Sequence, residues 1–507
     1  MEISTEKSAR HAAALGALLG LACGDAAGAV LEFGGKPTAG ALENALRFPG
    51  GGAHRLFPGQ ITDDTELAIS LADGLLAGRD AGATACETAF SLDAVAAAYS
   101  RWVLSQPFDC GKTTGRALMA TRRFETEIAR RVADTDTELP RTDVADRQRR
   151  SALLSEYPFA AQQREAAAHH SSLSAANGSL MRCAPLAVWG HALRPRDLAI
   201  CARLDSSLTH PNPVCADACA CFVIALAHLV AHREADAEAS GWAVLLSGGR
   251  PFRCSARAAR AFDVATSWAF ADDKLDDGPE TEPKAIGASG VGGGGGACLE
   301  VRAWLKLAAQ AASGTDVTLP PYEPDEGYVG VAFIHAFRHL LLGSSFDAAI
   351  RDVLTGGGDT DTNAAIVGTL VGAAVGLEHI PAQWSHAVLS CTPTAEALVA
   401  ATAAAAIAGQ QGTDGSTVTG DTEAHDAIRS QLVDPGVRGS AWAPAARCVR
   451  PAFLHASRLP AVCEQLLASA PARLVLARTR ELDCTSKTQL QVMASLRGLG
   501  LGKQDRG

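Results

Sequence analysis

The 507-residue chain is short of positive charge: 45 Lys and Arg stand against 55 Asp and Glu, a formal net charge of −10. That balance speaks against non-specific attraction to nucleic acid or to an anionic membrane, and a phosphate-bearing ligand would need local help. The opening residues, MEISTEKSAR, lack the basic leader of a secretory signal. The apolar run that follows, His11 to Val30, is broken by four glycines and Asp25, so it reads as a buried helix or helix pair rather than a membrane span. Zinc spacing is missing too. The 14 cysteines are scattered, and the nearest thing to a cluster, Cys215, Cys219 and Cys221, matches no usual zinc pattern. Small thiols buried in a helix are the simpler reading, and reduced thiols point to a cytoplasmic compartment. No phosphate-binding glycine loop is present either. GVGGGG, Gly290 to Gly295, formally contains G-x-G-x-x-G but follows no strand-like segment and lacks the Lys-Ser/Thr pair of a P-loop, so it reads as flexible linker.

The alternation of β-branched and aromatic residues that marks strands is also scarce; aromatics make up 5% of the chain. Small apolar helix formers dominate instead. Hydrophobic residues reach 47% and charged ones 20%, with mean hydropathy +0.07, the composition of a folded enzyme with a large core. Segments such as ACACFVIALAHLVAHR, YVGVAFIHAFRHLLLG and AAIVGTLVGAAVGL are apolar nearly all round, as helices buried in a bundle are. The expected fold class is all-α, a compact multi-helix bundle.

Composition divides the chain further. Residues 1–409 form the main domain, with surface insertions expected at about 122–170 and 272–296. A polar linker is expected over 410–446, and 447–507 is a C-terminal extension in which Arg450 to Ala470 suits one more helix, docking on the domain. The tail carries no ligand-type cluster, so it is expected to stand outside the core and to be dispensable for chemistry.

Acid is concentrated in two places. ITDDTELAIS sets Thr62, Asp63 and Asp64 before an apolar run, and GGGDTDTNAA delivers Asp359, Asp361 and Thr362 behind three glycines. Helix capping is the plain explanation, with Glu66 three residues after Asp63 completing a capping box. Adjacent carboxylates repel, however, unless a cation lies between them. The D-x-D-x-N opening at Asp359, Asp361 and Asn363 is not an EF-hand, because Ala364 and Leu370 stand where that loop needs glycine and an acid. Oxygen-only ligands suit a hard cation, Mg²⁺ first and Mn²⁺ next.

GLACGDAAGAVLEF, TDDTELA, FDCGKTTGRAL, AANGSLMRCAPLAVW, SLTHPNP and GGGDTDTNAAIVGTLVGAAVG occur in the order and style of the ADP-ribosylglycohydrolase family, which includes the dinitrogenase-reductase-activating type. The chain resembles that family from about Ala12 to Gly409. The resemblance implies an all-α domain with a binuclear Mg²⁺ (or Mn²⁺) centre at the base of a cleft for ADP-ribose. Thr62, Asp63, Asp64, Asp359, Asp361 and Thr362 would be the metal ligands, with Asp361 bridging. Glu32 would stand above the metals on a loop, and Asp109 near the scissile bond; Glu32, Asp63, Asp64 and Asp109 are the catalytic candidates. Asn177, Gly178 and Ser179, with Gly356, Gly357 and Gly358, are candidates for the pyrophosphate cradle, where tight helix packing is the alternative. His210 is a further candidate near the metals. The implied reaction is removal of ADP-ribose from a protein side chain, arginine first and serine second. A hydrolase of free derivatives such as O-acetyl-ADP-ribose and a non-catalytic structural member are the alternatives. A monomer acting on an ADP-ribosylated protein is expected, with neither nucleic acid nor membrane as partner.

Overall fold

Glycine recurs every fourth residue along the first helix, Glu2–Gly28, at Gly16, Gly20, Gly24 and Gly28. Four residues is just over one turn, so the four share a face. That face meets a second helix, Thr360–Val375, which carries Ala364, Gly368 and Gly372 at the same spacing. The backbones touch. A Cβ at Gly16 would lie 2.4 Å from the Gly372 carbonyl oxygen, at Gly20 2.2 Å from that of Gly368, and at Gly24 2.1 Å from that of Ala364. The helices run antiparallel, so the seam ends with Gly28 against Asp361, and the Thr360 hydroxyl donates to the Gly28 carbonyl (2.8 Å). The glycines therefore do not break the segment into a helix pair, because packing offsets the roughly 1 kcal/mol that each costs a helix. The seam also fixes where the chain leaving the first helix stands relative to Asp361. Gly24→Ala is expected to destabilise the fold by about 3 kcal/mol, since its methyl meets backbone that cannot swing aside; denaturant unfolding measures this.

The structure, a computed structural model, describes residues 2–78, 89–118, 157–232, 245–246, 252–271, 296–323, 327–411 and 446–476. It is an all-α bundle; among the described residues the one sheet is a two-residue parallel pairing of Ala89–Phe90 with Val475–Leu476. Val329–Leu342 and Phe346–Gly356 pack against the Thr360–Val375 helix, while Pro213–Ala231 lies against Pro195–Ser207 and Ala256–Ala269. Cys215, Cys219 and Cys221 are buried in Pro213–Ala231. Among the described residues, the two helices long and apolar enough to cross a membrane, Ser8–Gly28 and Pro213–Ala231, are mostly buried in the bundle.

Two segments depart from the composition reading. Phe159–Ser171, assigned to the 122–170 insertion, is a helix packed on Leu92–Leu104, with the Ala160 N–H on Asp93 Oδ1 (3.1 Å) and Gln163 Nε2 on the Ala96 carbonyl (2.9 Å). The C-terminal segment is also core rather than appendage. It runs through short 3₁₀ turns into one helix, Leu459–Ala468, whose Leu459, Val462, Cys463 and Leu466 are buried against the first helix and Asp63–Ala77. The expected Arg450 start fails because Pro460 would fall in the interior of such a helix; the helix begins instead at Leu459, which puts Pro460 in its first turn, where it is tolerated. Residues 122–156, 272–295 and 412–445 of the expected insertions and linker lie outside the described residues.

Candidate active site

Neither acidic helix start is used for capping. Thr62 is the N-cap of Asp63–Ala77 and Asp359 that of Thr360–Val375, and neither side chain makes a capping bond. Glu66 does not close a capping box; it accepts from Trp102 Nε1 (2.8 Å) and from Arg450. The helix start is held from outside by Asp25, which accepts from Thr62 N–H (3.0 Å), Thr62 Oγ1 (2.8 Å), Thr65 N–H (3.1 Å) and Thr65 Oγ1 (2.5 Å). The Thr62 hydroxyl also lies 3.1 Å from Asp64 Oδ2, so one proton serves two carboxylates. Asp64 Oδ1 is buried without any partner.

The acids confront each other in a dry place. Burial first, then Asp25, Asp63 and Asp359, push Asp64 well above the usual carboxylate range. Burial, then Glu32, Asp64 and Asp359, do the same to Asp361, and burial followed by Asp109 does so to Asp63. Asp25 is raised by burial to about 7 in spite of its four donors. Such a cluster is a cost to the fold unless cations balance it. Donor oxygens of Glu32, Asp359 and Asp361 lie within 4.8 Å of one another, close enough for one ion. Unpartnered Asp64 Oδ1 and this all-oxygen set fit a hard cation. Glu32 thus stands among the possible ligands and not only above them. Asp361 Oδ1 accepts from the Thr362 N–H (2.8 Å), and Asp359 Oδ2 from Asn177 Nδ2 (2.7 Å).

Glu32 follows the first helix by four residues, with its N–H on the Gly28 carbonyl (3.1 Å), so the glycine seam carries it to the acid cluster. Asp109 approaches from the loop after Leu92–Leu104, and the Gly111 N–H of that loop donates to Asp63 Oδ2 (3.3 Å). Between them stands His54, with Nε2 3.6 Å from both Glu32 Oε2 and Asp109 Oδ2. Neither ring nitrogen has a hydrogen-bond partner. Glu32, and then Asp109, hold the His54 imidazolium above its ordinary pKa against desolvation. Burial and Glu32 raise Asp109 to about 6.

The cradle candidates divide. Asn177 faces Asp359, but the Ser179 hydroxyl is turned into the core, accepting from Ser206 Oγ (3.0 Å) and Cys219 Sγ (3.4 Å). Gly178 lies on His210, where a Cβ would come within 3.0 Å of the imidazole Cε1. His210 Nδ1 is 2.8 Å from Thr209 Oγ1, which accepts from buried Arg182 (2.8 Å); burial and then Arg182 lower the imidazole to about 3. His210 is thus a neutral support beneath Gly178. The glycine turn is packed too: Gly356 against the Tyr322 ring, Gly357 and Gly358 at φ +75° and +73°, and the Gly358 N–H already spent on Glu323 Oε1 (3.2 Å). For Gly356 and Gly358 the packing alternative wins.

Sequence reasoning missed Asp25, His54 and the Glu66–Arg450 pair. Asp25 left one visible sign, a lone acid in a twenty-residue apolar run. His54 left none, since a single histidine in a glycine-rich loop looks like any other.

Buried acids converging from two helix starts, with an unpartnered Asp64 Oδ1 and three carboxylates close enough to share one ion, form an acidic centre that could hold a cation on an all-α frame. The profile of the ADP-ribosylglycohydrolase family matches residues 6–415. The chain is similar to ADP-ribosyl-[dinitrogen reductase] glycohydrolase of Rhodospirillum rubrum, 27% identical over 379 residues, covering 74% of this chain and 89% of that protein. It is 38% identical over 112 residues to ADP-ribosylarginine hydrolase Tri1 of Pseudomonas putida, 21% of this chain and 27% of that one. A solved chain described as an ADP-ribosylglycohydrolase-related protein complex is 25% identical, with TM-score 0.45, over 75% of this chain and 93% of its own. The chain belongs to the ADP-ribosylglycohydrolase family and is a glycosidic-bond hydrolase.

Proposed function

We propose that this hydrolase uses two divalent cations, Mg²⁺ or Mn²⁺, to release ADP-ribose from modified arginine in proteins. The observation that carries the reading is the pair Glu32 and Asp109, set around one nitrogen heterocycle directly beside the buried acids. Thr62, Asp63, Asp64, Asp359, Asp361 and Thr362 would hold the cations, with Glu32 beside them. Bound divalent cations supply Lewis acidity for water and an anchor for ribose hydroxyls. Glu32 Oε2, without a hydrogen-bond partner, is the site that takes a proton from the attacking water. Asp109 orients the guanidinium by charge-assisted hydrogen bonds. The C1″–N bond breaks, the hydroxyl of water goes to C1″, and a proton goes to the departing nitrogen.

Peptides carrying ADP-ribosyl-arginine or ADP-ribosyl-serine, assayed beside O-acetyl-ADP-ribose, test the reading. Arginine is expected to be cleaved fastest, with activity lost on chelation and restored by Mg²⁺ or Mn²⁺. Fastest cleavage of O-acetyl-ADP-ribose would place the enzyme on free derivatives instead. Glu32→Gln is expected to lower turnover at least about a hundredfold with ADP-ribose affinity retained. An unchanged rate would remove Glu32 from the catalytic groups.

A further inference from the structure

Phe33 is in the wrong place for a folding residue. It is the third residue of a turn closed by the Gly34 N–H on the Leu31 carbonyl (3.0 Å), and its φ is +63°. Glycine suits such a position; a bulky side chain there costs on the order of 1 kcal/mol or more. Burial does not repay that cost, because Phe33 is 69% exposed. The sequence has glycine next door, at Gly34 and Gly35, yet holds an aromatic ring here, directly after Glu32.

The ring is not idle. It meets the His54 imidazole edge-on, with centroids 6.2 Å apart and planes at 68°. Phe108, directly before Asp109, meets the same imidazole at 5.5 Å and 55°. Each carboxylate that faces His54 is thus followed or preceded in the chain by an aromatic ring that also faces it. The space between Glu32 and Asp109 therefore holds a flat nitrogen heterocycle, with Nε2 3.6 Å from both carboxylates. Carboxylates in front and aromatic rings at the sides suit a guanidinium, which forks its N–H groups onto carboxylates and is attracted as a cation to nearby aromatic rings. An alkyl oxygen uses neither.

We propose that Phe33, His54 and Phe108 form an aromatic collar around Glu32 and Asp109 that receives the leaving group and selects a planar guanidinium over a serine oxygen. The inference rests on the glycohydrolase reading above and names the part of the chain that sets its substrate class. His54 marks where the guanidinium goes, between the two carboxylates and beside the two rings. Phe33, strained and exposed, is the wall contributed by the Glu32 loop.

Phe33→Gly separates this role from a structural one, because glycine relieves the positive φ and removes an exposed ring, so the melting temperature should stay or rise. The experiment measures kcat and KM of the full-length protein on two peptides of one sequence, carrying ADP-ribosyl-arginine or ADP-ribosyl-serine. Loss of a ring–cation contact should lower the ratio of arginine to serine kcat/KM by about tenfold, chiefly through KM for the arginine peptide. Free arginine should inhibit the wild type and inhibit the variant more weakly. An unchanged ratio, or a parallel fall on both peptides, would overturn the collar while leaving the glycohydrolase reading standing. A wild-type enzyme that cleaves neither peptide would overturn that reading first, and the collar with it.

Discussion

Asp361→Asn should leave the metal-free protein as stable as the wild type, or more so, and abolish hydrolysis. Asp361 is buried among Glu32, Asp64 and Asp359, which with desolvation push its carboxyl far above the usual range. Removing one repelling charge from that group relieves the apo fold. The amide keeps the shape and an oxygen for the Thr362 N–H, now 2.8 Å from Oδ1. What it loses is the charge needed to balance cations. The wild type should gain about 2.7 kcal/mol of stability at a Mn²⁺ concentration a hundredfold above its Kd, and the variant little. Turnover should fall about a thousandfold or more, equivalent to about 4 kcal/mol of transition-state stabilisation. Melts with and without Mn²⁺, calorimetric titration and the arginine-peptide assay read these together. A role at the helix start alone predicts the same apo stability but an unchanged metal response and turnover, since asparagine serves there about as well as aspartate. Equal metal stoichiometry and rate in the two proteins would sink the cation-centre mechanism.

The acid cluster was legible because its two halves each announce themselves locally, with acids and hydroxyls crowded into one helical turn before an apolar run. What surrounds the cluster was not legible, because it is assembled from afar. His54 meets Asp109, 55 positions further on, and its own carbonyl accepts from Cys448 Sγ (3.2 Å), 394 residues away. No periodicity or spacing rule sees such pairs. The glycines of the first helix were visible but left one helix and a helix pair both open: taken singly they look like breaks, whereas their four-residue period is the mark of a face on which two backbones meet. Composition likewise assigned Phe159–Ser171 to an insertion, since its mix of charge, Gln and His has little apolar pattern, yet Gln163 is buried by bonding to the Ala96 carbonyl and Ser100 Oγ.

The C-terminal segment makes the same point in energy. Arg450 lies beyond the family match at 6–415, yet its side chain is 2% exposed and its guanidinium forks onto Glu66, with Nε 2.6 Å from Oε1 and Nη2 2.8 Å from Oε2. It also donates to the Ser105 carbonyl (2.9 Å) and hydroxyl (2.8 Å). One residue thereby braces the helix that begins with Asp63 and Asp64 and the turn that leads to Asp109. Burial already pushes Glu66 above the usual range with Arg450 in place, so removing the partner leaves a charge with only Trp102 to hold it. Arg450→Met is therefore expected to cost about 3–5 kcal/mol. Arg458→Met removes a pair with Asp73 whose guanidinium is about one-third exposed, and should cost about 1 kcal/mol or less. Glu66→Gln combined with Arg450→Met should recover much of the loss, because the orphaned charge goes with its partner. Denaturant unfolding of the wild type, Glu66→Gln, Arg450→Met and the double variant measures the cycle, with Arg458→Met as the exposed-pair comparison. Truncation after Gln411, which composition alone suggests is harmless, should then unfold or inactivate the enzyme. A truncated protein that melts and turns over like the full chain would show that Arg450 adds nothing the bundle lacks.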